Sequence, residues 1–104
     1  AFSFKPGISA NKPNIKFLLL LNSSTICDQG ILDALGKRMK IAESIGQLKK
    51  DNNVAVLQNK RWNEILDTMK AEGNQRSLSE DFITRVFKAI HQESINHQEK
   101  VING

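Results

Sequence analysis

Two cations fall where a helix should be apolar. Along the seam Ile31, Leu35, Arg38, Ala42, Ile45 and Lys49, stepped by threes and fours, Arg38 and Lys49 interrupt a line of small and aliphatic side chains. Lys49 follows Arg38 by eleven residues, close to three helical turns, so the two share a face. At ~1.5 Å per residue their Cα atoms lie roughly 16 Å apart, and two long side chains leaning inward from such positions can grip opposite ends of one small anion. A second seam, Ile83, Phe87, Ile90, Ser94, Gln98 and Val101, carries two neutral hydrogen-bonding groups one turn apart. Gln58 and Arg61 share a face that continues to Ile65.

Buried polar groups are costly without partners, and a cluster of cations without carboxylates is costlier. The seams offer no matching Asp or Glu. A bound anion resolves that conflict, which makes Arg38, Lys49, Arg61, Ser94 and Gln98 candidates to line one pocket. An ordinary solvated face is the competing interpretation, since long cationic side chains snorkel from seam edges to water.

Three helical segments must position these groups. The periodicity predicts a first helix from about Cys27 or Asp28 to Lys50, with Ile31, Leu35, Met39, Ala42, Ile45 and Leu48 on one side. Asp51-Asn52-Asn53 ends it. Glycines 30, 36 and 46 lie inside it, and such a residue often marks the close approach of another backbone. A second helix runs from about Gln58 to Ala71, with Trp62, Ile65, Leu66 and Met69 apolar and Gly73-Asn74 as its stop. A third runs from about Ser79 to Val101. Its N-cap candidates are Ser77, with Glu80 completing a capping box, and Ser79. Residues 1–24 read as an atypical N-terminal segment and 25–104 as the helical domain. Pro6, Gly7, Pro13 and Asn22-Ser23-Ser24-Thr25 break any long helix, so Ile15–Leu21 is a strand, a short helix or a cover for a partner.

The 104 residues predict one domain. Composition is that of a soluble globular protein, with 39% apolar and 25% charged residues. A net charge of +4 mildly favours anionic partners. The basic residues form no block, Tyr is absent and there is one Trp, so nucleic-acid binding is not expected. Cys27, the sole cysteine, reads as a free thiol and supports no disulfide or zinc cluster. The longest apolar run, Phe17 to Leu21, is far short of the ~20 residues a spanning helix needs. Neither membrane association nor a metal or cofactor is expected, and the chain reads as cytoplasmic.

From Asp28 onward the residues resemble the all-helical chorismate mutases. The matching pieces are Asp28-x-x-Ile31-Leu32 leading to Arg38, Ala42-Glu43-Ser44-Ile45-Gly46 leading to Lys49, Arg61, and Phe82-Ile83-x-x-Val86-Phe87-x-x-Ile90-x-x-Glu93-Ser94 leading to Gln98. The resemblance implies an all-α, three-helix fold in an intertwined homodimer, and conversion of chorismate to prephenate by a Claisen rearrangement without metal or covalent nucleophile. It makes Arg38 and Arg61 carboxylate clamps. Lys49 becomes a contact to a carboxylate and to the ether oxygen, Gln98 a second donor to that oxygen, and Ser94 a support for a carboxylate. Gln58 stands where the family places an acid near the substrate hydroxyl. Trp62 replaces a frequent glutamate, and Leu21 stands where the family has an arginine that reaches into the partner subunit's site. The Gln58-x-x-Arg61-Trp62 version is similar to mutase domains fused to a DAHP synthase, so a fused or associated synthase is a further expected partner. Two other functions suit the same residues: an isochorismate-pyruvate lyase, and a non-catalytic helical module that binds or regulates a partner.

Overall fold

The computed structural model describes residues 14–104, which form three helices: α1 (Ile15–Asn52), α2 (Asn59–Gln75) and α3 (Glu80–Asn103). The chain divides into two units, Ala1–Ala34 and Leu35–Gly104.

Of the first unit, residues 14–34 are described, and all are exposed. The helix here begins at Ile15 rather than at Cys27 or Asp28, and it passes through residue 24 without a break. Asn14 opens it: the Phe17 N–H donates to Asn14 Oδ1 at 3.1 Å, the satisfaction of an orphan donor that an N-cap provides. The polar run at Asn22–Thr25 fails to break the helix because its hydroxyls are accommodated inside it. Ser23 Oγ donates to the Leu19 carbonyl at 2.9 Å and Thr25 Oγ1 to that of Leu21 at 3.1 Å, the back-bonding by which such residues tolerate helical positions. Ile15–Leu21 is therefore helical, and Leu21 itself is 49% exposed. The expectations placed on Pro6, Gly7 and Pro13 lie outside the described residues.

The second unit holds the end of α1 together with α2 and α3. Helix α1 stops as expected at the Asp51-Asn52-Asn53 stretch: Asn53 adopts φ 54°, and the Val54 N–H returns to the Lys49 carbonyl at 2.9 Å. Helix α2 runs past Gly73 and Asn74 to Gln75, and turns at Ser77 with φ 60°. There the N–H groups of Arg76 and Leu78 both reach the Gly73 carbonyl at 2.9 Å, closing the helix. Of the two cap candidates for α3, Ser79 serves, accepting from the Phe82 N–H at 3.2 Å, while Ser77 is spent on the turn.

The core is small. Ala42, Ile83 and Ile95 are its buried apolar side chains among the described residues. Two glycines let the helices close around it. A Cβ at Gly46 would stand 2.9 Å from Gln98 Cα, and one at Gly73 would stand 2.6 Å from Ile83 Cγ1. On the α1 seam Ala42 is buried and Leu35, Arg38 and Lys49 are half-buried, whereas Ile31, Ile45 and Leu48 are exposed. No described helix is long and apolar enough to cross a membrane.

Candidate active site

All six polar residues singled out by spacing line one cavity of about 360 Å³ in the second unit: Arg38, Lys49, Gln58, Arg61, Ser94 and Gln98. Each helix contributes for a local reason. On α1, Arg38 and Lys49 flank buried Ala42 and Gly46, the latter lacking a side chain where the Gln98 backbone approaches; both cations are half-buried. On α3, Ser94 and Gln98 are the buried polar residues of the described chain, at 8% and 7% exposure. Gln58 and Arg61, at the start of α2, remain exposed while lining the same space. The remaining wall is largely aliphatic: Ile41, Ile45, Val56, Ile65 and Ile95.

The polar groups form a connected chain. Lys49 Nζ donates to Gln98 Oε1 and to the Val56 carbonyl, both at 2.9 Å. Gln98 Nε2 in turn donates to Ser94 Oγ at 3.3 Å. An ammonium has three N–H donors and an amide nitrogen two, so Lys49 and Gln98 each keep one donor for a guest. No buried side-chain polar atom among the described residues lacks a partner. Burial pushes the Lys49 ammonium below its ordinary value, since desolvation disfavours charge.

Among the described residues three cations line this cavity and no carboxylate does. Positive charge in a partly apolar, partly enclosed space attracts an anion of matching size. The neutral donors supply directional contacts that can follow charge onto a particular oxygen. A family model described as chorismate mutase type II matches residues 20–99. The chain belongs to that family. The resemblance drawn from Arg38, Lys49, Arg61, Ser94 and Gln98 is borne out, together with the all-α fold. Two curated relatives are both bifunctional chorismate mutase/prephenate dehydratases. That of Buchnera aphidicola subsp. Schizaphis graminum (strain Sg) is 32% identical over 76 residues, which is 73% of this chain and 20% of the relative. That of Buchnera aphidicola subsp. Acyrthosiphon pisum (strain APS) is 27% identical over 89 residues, 86% of this chain and 23% of the relative. The mutase-family chain thus spans less than a quarter of the length of these relatives.

Two cavity residues escaped the spacing argument. Trp62, taken for a core residue, lines the cavity, and so does His91. The rings stack with centroids 4.0 Å apart and planes 10° from parallel. His91 sits beside Ile90 in the α3 stripe and so resembles a flanking surface residue; its one available signal was a position one turn before Ile95 and Ser94. Its imidazole is held below the ordinary value by burial first, then by the positive charges of Arg38 and Lys49.

Proposed function

We propose that this chain isomerises chorismate to prephenate, with the cavity between α1, α2 and α3 as its active site. The observation that carries this reading is the convergence of Arg38, Lys49 and Arg61 on one space that no carboxylate of the described residues lines. The reaction is intramolecular: the ether C–O bond breaks as a C–C bond forms, and nothing enters or leaves. A protein needs only to hold the flexible dianion in its reactive shape and to stabilise charge growing on the ether oxygen.

The roles follow from chemistry and reach. Arg38 and Arg61 pair with carboxylates, since a guanidinium fork matches that geometry. Lys49 and Gln98 direct their remaining N–H groups to the ether oxygen, each steadied by the Lys49–Gln98–Ser94 chain. Ser94 supports a carboxylate. Gln58 takes the substrate hydroxyl, where its amide can donate or accept.

We further infer that two copies pair through the first unit, where Ile15, Leu18, Leu20, Ile31 and Leu32 are each about half or more exposed. For a fused or associated activity, the names of the two relatives favour prephenate dehydratase over the DAHP synthase suggested by Gln58-x-x-Arg61-Trp62.

Incubation of the purified chain with chorismate and, in parallel, with isochorismate, with products identified by mass, tests this reading. Prephenate alone is the expected product. Salicylate and pyruvate from isochorismate would instead assign a lyase, and no turnover by folded protein would leave a binding module.

A further inference from the structure

The sequence holds two histidines, and the fold treats them in opposite ways. His97 has both ring nitrogens against carboxylates, Nδ1 at 2.7 Å from Glu43 and Nε2 at 3.2 Å from Glu93. His91 lies in the cavity wall, flat against Trp62. Among the described residues no hydrogen bond engages either of its ring nitrogens. Stacking occupies a face of the ring and leaves its edge, where both nitrogens sit, as the part able to meet a guest. The charged side chains sharing the cavity are Arg38 and Lys49 from α1 and Arg61 from α2, while α3 adds only neutral Ser94 and Gln98 beside His91 itself.

We propose that His91 is a further substrate-binding residue of this site, donating a ring N–H to a carboxylate of the dianionic guest. The proposal rests on the reading of the cavity as a dicarboxylate site. Without a guest, burial and the neighbouring cations keep the imidazole below its ordinary pKa, so near neutral pH it holds one N–H donor and one acceptor. A bound dianion reverses the sign of the local field and favours the imidazolium. Binding therefore draws a proton onto the ring. The sign is fixed by linkage: the ring binds its proton more tightly in the complex than in the free chain. Affinity is then highest below the free pKa, falls by up to about tenfold per pH unit between the free and bound values, and is level above the bound value. Trp62 serves as a positioning residue, presenting the imidazole edge by holding its face.

The test is an NMR titration of the His91 ring with and without a bicyclic dicarboxylate ether that mimics the rearranging substrate. Calorimetry in two buffers of different ionisation enthalpy counts protons taken up on binding. The expected result is an upward shift of the His91 titration in the complex, and net uptake of part of a proton near neutral pH. His91→Phe, which retains a ring to stack on Trp62, and His91→Gln both abolish the uptake, whereas His97→Gln retains it. Dicarboxylate binding without proton uptake, or uptake that persists in both His91 variants, overturns the assignment and leaves the mutase reading standing. Failure of the unaltered chain to bind the dicarboxylate at all overturns both.

Discussion

Lys49 is the residue on which the site's polar chain turns, because it ties α1 to Gln98 on α3 and to the Val56 carbonyl at once. On the proposed reading Lys49→Ala removes a donor to the ether oxygen, and it leaves Gln98 Oε1 without its donor while Gln98 Nε2 keeps Ser94. By comparison with loss of one oxyanion donor, kcat/KM for chorismate should fall by about 10²–10³, with kcat carrying most of the loss. His97 gives a prediction of another kind. Its pKa is raised, chiefly by the hydrogen bond from its ring to Glu43 and further by Glu93, so the folded state favours the imidazolium. That contribution is complete below the ordinary histidine value and fades as pH rises through the raised one. The melting temperature of the chain should therefore fall relative to His97→Gln as pH climbs across that window. Parallel pH dependences would remove the effect. Arg38, Lys49, Ser94 and Gln98 were legible in the sequence because each is polar at a position the helical period reserves for core. His91 and Trp62 were not, since one borders the apolar stripe and the other belongs to it; only the packing of α2 on α3 brings their rings together.

Among the elements, glycines separate close packing from open space. Gly46 sits against the Gln98 backbone, whereas Gly36 has nothing within 4 Å of an added Cβ. Gly46→Ala gains helix propensity of up to about 1 kcal/mol but overpacks a backbone contact at a cost of about 1–3 kcal/mol. It should lower stability in thermal unfolding, and also lower mutase activity by pushing Gln98 away from Lys49. Gly36→Ala should raise stability by up to about 1 kcal/mol and leave the site intact. If both substitutions behave alike, the α1–α3 contact is not as close as described. The helices themselves were largely readable, because Ser79, Asn53 and the apolar periods of α2 and α3 announce their own limits. The start of α1 was not. Asn22-Ser23-Ser24-Thr25 carries the composition of a loop, and nothing in composition reveals that Ser23 and Thr25 will spend their hydroxyls on carbonyls one turn back.

For the whole molecule, the described chain buries few apolar side chains, while a run of leucines and isoleucines between residues 15 and 34 is exposed. Contiguous exposed apolar surface marks an interaction site, and a second copy is the occupant proposed above. Sedimentation should show a dimer whose melting temperature rises with protein concentration. Leu32→Lys, which would place an unpaired charge in the proposed apolar interface, should shift it toward monomer. A monomer at every concentration, unchanged by that substitution, would remove the dimer. The proposed function makes a stricter demand: that a doubly negative guest neutralise the three cations lining the cavity. Calorimetric titration of the bicyclic dicarboxylate ether into the unaltered chain and into Arg38→Ala tests this most directly. Saturable binding at one guest per cavity, weakened in Arg38→Ala by at least the ~2 kcal/mol expected for truncating one partner of a hydrogen-bonded charge pair, is the predicted result. Absence of binding, or equal affinity in the two proteins, would contradict it.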